Sequence, residues 1–235
     1  MPTDPRGDIA QEPKFDGGTA ELVVGPDEVA LIVHQDIIRP RSAFFGAALN
    51  KCWKEGASMR VALPEDSLGV VTLYVRYLYD GKLYLDRTKG LDRAAAMALI
   101  RLEYDALVEA YIFGERIQDV GFRNCIIDAF SARMCEPFGT IHYFPGMEHV
   151  DALYQGTSEN SLARQLIVEI YISFGKPEWI PGYQLHHNND FVADIARAAI
   201  RGPRGPSVAF STQALRDFDY SKYYVKDEAV SEGRR

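Results

Sequence analysis

Apolar positions follow two periods along this chain, close to two in the first third and helical afterwards. Glu21-Leu22-Val23-Val24 and Val29-Ala30-Leu31-Ile32-Val33 are β-branched runs flanking the turn sequence Gly25-Pro26-Asp27-Glu28, and they predict a β-hairpin with both strands largely buried. From Asp36 the spacing turns helical. Ile37 and Ile38 lead to Pro40, and Ser42 stands where an N-cap belongs, ahead of Phe44, Phe45, Ala48 and Leu49, so two short consecutive helices are expected. Met59-Arg60-Val61-Ala62-Leu63 alternates like a half-buried strand and stops at Pro64. Asp66 or Ser67 then caps a helix carrying Leu68, Val71, Leu73, Val75, Tyr77 and Leu78. That helix ends near Asp80-Gly81, where glycine permits a left-handed turn.

The remainder reads as helical. Leu91 to Arg101 is alanine-rich, and Tyr104 to Ile117 carries Leu107, Val108, Tyr111, Ile112 and Ile117 on a broad stripe. Gly121 separates that run from Phe122 to Met134, with Ile126, Ile127, Ala129 and Phe130, and a helical hairpin follows. Pro137 to Pro145 is a breaker-rich connection. Leu162 to Phe174 and Phe191 to Ile200 supply two more amphipathic helices, the second capped at Asn189 or Asp190. Strands confined to the first third and followed by helices imply an α+β class with an all-helical extension. Residues 1–18, rich in Pro, Gly and charge, are expected to form a disordered tail. The α+β domain then spans 19–102, the helical extension 103–201, and a flexible C-terminal tail 202–235.

Composition narrows the function classes. With 47% hydrophobic and 25% charged residues, the chain has the make-up of a folded globular protein and not of a disordered one. A formal net charge of -7 disfavours non-specific attraction to nucleic acid or an anionic membrane. No stretch approaches the roughly 20 apolar residues of a membrane helix, and the first residues lack the basic-then-apolar pattern of a secretory signal. Cys52, Cys125 and Cys135 are scattered without CxxC spacing, which suits a reducing compartment. The expectation is an intracellular protein of the cytoplasm or nucleus.

Four stretches carry a resemblance. The segment Val33-His34-Gln35-Asp36-Ile37-Ile38-Arg39-Pro40-Arg41-Ser42-Ala43-Phe44-Phe45 resembles the "VHKxxLxxxSxxF" core of BTB/POZ domains. Trp53-Lys54-Glu55-Gly56, Val61-Ala62-Leu63-Pro64-Glu65-Asp66 and Tyr77-Leu78-Tyr79-Asp80-Gly81-Lys82-Leu83 are similar to three later stretches of that family, in the same order, with spacing closest to the short fungal BTB proteins. Tyr104 to Asp128 is similar to the helices that follow the domain there. The resemblance implies a small sheet with a hairpin packed on a helical cluster. His34 then ties loop backbone groups together, Ser42 caps a helix, Phe44 and Phe45 bury that helix against the hairpin, and Tyr77, Tyr79 and Gly81 are further determinants of the fold.

The resemblance also implies a protein-protein interaction adaptor, and many such proteins recruit a cullin ubiquitin-ligase scaffold through a hydrophobic-x-Glu element. Trp53-Lys54-Glu55 stands at that place as the partner-binding candidate. Homo-oligomerisation by strand exchange is not favoured. The acid usual at the first strand is replaced near Thr19-Ala20-Glu21, and the base usual after the serine is Ala43, which leaves self-association to a smaller helical interface.

Bond chemistry finds little support in the sequence. No G-x-S-x-G occurs, no signature surrounds a cysteine, and the phosphate-binding glycine motifs are absent. His186-His187-Asn188-Asn189-Asp190, with His142 and His149, is the only material for a metal site, and adjacent histidines usually point apart. The chain is therefore read as a non-enzyme, with no catalytic residue, cofactor, metal or small-molecule substrate expected. Two other classes stay open. One is a self-associating scaffold or transcription-linked assembly factor without cullin binding. The other is an enzyme, whose sign would be His142, His149, His186 and His187 gathered around one pocket.

Overall fold

The structure, a computed structural model, describes residues 15–50, 58–86, 90–180, 189–201 and 211–226. It is mixed α+β, with a three-stranded sheet and a majority of helix. The chain divides into two compact units. The first holds residues 1–81 and takes back 117–119; the second holds 82–116 and 120–235.

In the first unit, β1 (Thr19–Val24) and β2 (Val29–His34) form the expected antiparallel hairpin, with Leu22 opposite Leu31 and Glu21 opposite Ile32. Further along the chain β3 (Arg60–Leu63) pairs parallel to β1, for a strand order β2-β1-β3. Ala20, Leu22, Val24, Val33, Val61 and Leu63 are buried. One expectation fails here. β2 turns the face of Ala30 and Ile32 to solvent, Ile32 by 59%, and Val29 is also exposed where the strand leaves the turn.

Two short helices follow β2, α1 (Gln35–Arg41) and α2 (Ala43–Ala48). Ser42 caps α2 as predicted, accepting the Phe45 N–H at 3.1 Å. Its hydroxyl also donates to the Ile117 carbonyl at 2.5 Å, which ties 117–119 to this unit. Helix α3 (Leu68–Asp80) is capped by Ser67, whose side chain accepts the Val70 N–H at 3.1 Å, and it stops at Gly81, where φ is +71°. Tyr74, left out of the predicted apolar face, is fully buried, while Leu68 is exposed.

Phe44 departs from the sequence reading. Phe45 is fully buried and stacks on Tyr74 of α3 at 6.1 Å, whereas Phe44 meets Phe45 edge-on and stays 37% exposed. Neighbouring positions on one helical turn lie about 100° apart, so only one of two adjacent rings can enter the core. Phe45→Ala is expected to destabilise the protein by about 3–5 kcal/mol, and Phe44→Ala by well under half of that. Urea denaturation of the two variants checks the order.

The second unit is helical. Helix α4 (Arg93–Arg116) is continuous, because its alanine-rich half contains no breaker, and the boundary expected at 102/103 therefore falls inside a helix. Helix α5 (Val120–Cys135) packs against α4 at Gly114, where a Cβ would lie 3.0 Å from the Phe122 ring. Helix α6 (Met147–Gly156) has no counterpart in the sequence reading. The spacing of Val150, Leu153 and Tyr154, all buried, is the signal that could have found it. Helices α7 (Leu162–Phe174) and α8 (Asn189–Arg201) follow, and Asn189 and Asp190 stand inside α8, not as its cap.

The C-terminal expectation is also corrected. Residues 202–210 and 227–235 lie outside the described residues, but 211–226 are folded. Helix α9 (Thr212–Arg216), capped by Ser211, and a 3-10 turn (Tyr220–Tyr223) bury Leu215, Tyr220 and Tyr223. The segment is fastened to α5. Asn124 donates to the Val225 carbonyl at 3.0 Å and accepts its N–H at 2.8 Å, and Tyr224 donates to Asp128. That bond to a carboxylate, aided by partial burial, pushes the Tyr224 hydroxyl up to about 12.

Candidate functional site

The partner-binding candidate Trp53-Lys54-Glu55 lies in 51–57, outside the described residues. Its frame is described. On the N-terminal side, α2 ends on buried Leu49; on the C-terminal side, β3 is anchored by Val61 and Leu63 against β1. Phe44, on the exposed side of α2, is an aromatic residue available to solvent in this part of the first unit.

His34 and Tyr79 form a pair that the sequence named separately. The His34 Nδ1 and the Tyr79 hydroxyl are 2.8 Å apart, and the same hydroxyl oxygen accepts the His34 backbone N–H at 3.3 Å. The Tyr79 hydroxyl thus bonds both the backbone and the ring of His34. Phe15 meets the His34 ring edge-on at 5.0 Å. His34 thus locks the end of β2 to α3, through a side chain and not through the loop backbone groups expected of it. Tyr77 is buried under the Arg41 guanidinium at 5.8 Å.

The buried polar contact beneath this surface joins Tyr74 to Asp119 at 2.9 Å. Burial, then the Asp119 carboxylate, pushes the Tyr74 hydroxyl far above the usual tyrosine range. Sequence reasoning missed both residues. They lie 45 positions apart, and nothing local marks them as partners.

The two described histidines of the second unit, His142 and His149, are committed to the framework. His142 donates from Nδ1 to the Met134 carbonyl at 2.7 Å and accepts from the Thr212 hydroxyl at 2.8 Å on Nε2. His149 accepts the Gly146 N–H at 2.9 Å on Nδ1, so Nε2 carries the proton and faces the Arg101 carbonyl and Asp105, each at 3.2 Å. His186 and His187 lie outside the described residues. Among the described residues no group of three His, Cys, Asp or Glu side chains could hold a metal.

A cleft of about 370 Å³ in the second unit is lined by Arg164, Glu169, Asp194, Arg197, Arg201 and Tyr223, among others. Its charges compensate one another. Arg164 donates to the Tyr154 and Thr157 carbonyls and the Thr157 hydroxyl and lies 4.5 Å from the Tyr154 ring centre. Tyr154 donates to Asp194 at 3.0 Å. These bonds hold α6, α7 and α8 together, and the lining contains neither cysteine nor histidine. Among the described residues no helix is long and apolar enough to cross a membrane. The chain matches no protein-family model and no curated protein.

Proposed function

We propose that this chain is a protein-interaction adaptor of the BTB/POZ kind, acting in the cytoplasm or nucleus, and that it recruits a cullin-type ubiquitin-ligase scaffold through Trp53-Lys54-Glu55. The observation that carries the reading is the succession of four family-like stretches in order along residues 33–83. It is supported by the order of elements: hairpin, two short helices joined at Ser42, a strand parallel to the first, and a helix closed by Gly81. Phe44, nine residues before Trp53 in the chain, is itself 37% exposed, and a rigid ring gives contact area at low entropic cost. The net charge of -7 favours protein partners over nucleic acid.

The test is calorimetry of the protein with the N-terminal domain of the BTB-binding cullin, beside a Trp53→Ala/Glu55→Ala variant whose folding is checked by circular dichroism. A hot-spot loss of about 2 kcal/mol or more appears as an affinity at least about 30-fold weaker. An unchanged affinity would place the contact elsewhere. No binding by the parent at high micromolar concentration removes the cullin from the proposal.

A further inference from the structure

The chain entering α6 is gripped at three points by buried side chains. Tyr104 of α4 donates its hydroxyl to the Tyr143 carbonyl at 2.7 Å, and Tyr171 of α7 donates to the Pro145 carbonyl at 2.8 Å. The third grip is His149 of α6, which accepts the Gly146 N–H on Nδ1 at 2.9 Å. Between them Phe144 lies 4.7 Å from the Trp179 ring and 6.5 Å from Phe174. Burial holds both tyrosine hydroxyls protonated well past neutral pH. The histidine bond is different in kind. A backbone N–H can only donate, so this bond exists only while Nδ1 carries no proton.

His149 is 4% exposed and yet stands among charges. Asp105 of α4 lies 3.2 Å from Nε2, and Glu148 of α6 lies 4.0 Å from Nδ1. Arg101 of α4 pairs with Glu148 at 3.4 Å and sets its carbonyl 3.2 Å from Nε2, while the Tyr104 ring is 5.6 Å from the imidazole. Tyr171 of α7 feels Glu148 and Asp151. Helix α8 meets α6 at Tyr154, five residues further on, where Asp194 receives the tyrosine hydroxyl. His142, in the connection itself, is bonded to Met134 and Thr212.

A proton on Nδ1 would meet the Gly146 N–H head-on, but it has an acceptor close by in the Glu148 carboxylate, and Nε2–H keeps Asp105. The two carboxylates favour the charged ring; burial, the Arg101 guanidinium and the Gly146 bond favour the neutral one. The ring therefore has two arrangements, each with its own partners. We infer that His149 is a pH-operated latch on residues 143–146: neutral, it holds Gly146; protonated, it exchanges Gly146 for Glu148 and releases that end of the connection. The latch is closed at the higher pH and opens as pH falls. It is independent of cullin recruitment through Trp53-Lys54-Glu55.

An NMR titration of the full chain from pH 8 to 5, the interval in which imidazoles change charge, tests it by following the His149 ring and the Gly146 amide together. The Gly146 signal is expected to move with the same midpoint as the His149 ring. Its protection from hydrogen exchange, corrected for the intrinsic pH dependence of exchange, is expected to fall at least about tenfold. Asp105→Asn and Glu148→Gln, at side chains 52% and 48% exposed, should each move the midpoint to lower pH, because each removes a charge that favours the imidazolium. In His149→Gln the Gly146 amide should no longer titrate; if that variant does not fold, the two carboxylate variants carry the test. A His149 ring that titrates while Gly146 stays still overturns the inference, as does a Gly146 midpoint that follows His142 instead. A ring that takes up no proton down to pH 5, or a midpoint indifferent to both carboxylates, overturns it equally.

Discussion

Arg133→Met is expected to destabilise the second unit by about 3–5 kcal/mol, one of the largest effects of any single substitution in this protein. Arg133 is 2% exposed on α5, with its guanidinium 3.4 Å from Glu103, itself 8% exposed on α4, and 3.4 Å from Glu136. It also donates to the Glu136 carbonyl at the end of α5. Removing the cation leaves the Glu103 carboxylate buried without it, and a buried charge that loses its counter-ion costs far more than the pair contributes while intact. The double variant Arg133→Met/Glu103→Met should therefore recover much of the loss, since two apolar chains of similar volume replace both charges. Urea denaturation of the parent, the single variants and the double variant measures this coupling. A loss no greater than that of exposed Arg197→Met would show that the buried pair contributes nothing special.

Alkaline pH should unfold the protein more readily than its lysine and arginine content alone would suggest. Burial pushes the hydroxyls of Tyr74, Tyr104 and Tyr171 above the usual tyrosine range, and at Tyr74 the neighbouring Asp119 carboxylate adds to it. In the unfolded chain these groups release their protons near pH 10. Above that pH the folded state holds protons that the unfolded state has lost, so stability falls as pH rises; below about pH 10 the contribution is fully present. Each group removes up to about 1.4 kcal/mol per pH unit until its folded-state value is reached. Urea midpoints at pH 8, 10 and 11 should fall steeply over the last interval. Tyr74→Phe should flatten that slope by about 1.4 kcal/mol per pH unit; a slope unchanged in the variant would mean that Tyr74 already ionises in the folded protein.

These two effects come from residues that the sequence left unmarked. Arg133 reads as an ordinary surface position near the end of a helix, and Tyr74 as one aromatic among several on α3. Their importance rests on Glu103, 30 positions away, and Asp119, 45 positions away. The C-terminal segment shows the same dependence. Its tyrosines have no period of their own, yet Asn124, Asp128 and His142 hold it in place through contacts spanning 70 to 101 positions.

What the sequence determined by itself was whatever one turn or one pair of strands decides. Ser42 and Ser67 cap helices because each oxygen meets an N–H three residues on, and Gly81 ends α3 because its φ is positive. The hairpin follows from a four-residue turn between β-branched runs. The candidate contact Trp53-Lys54-Glu55 was legible only as a local motif, and it lies outside the described residues. Which face each element turns inward was decided by the tertiary structure: Ile32 outward on an edge strand, Phe44 outward beside buried Phe45, and Val192 and Ile200 outward on α8 while Phe191 is buried. Alternation and helical period specify that a face is apolar. Only the position of the neighbouring element, set by chain closure over tens of residues, specifies whether that face is buried or exposed.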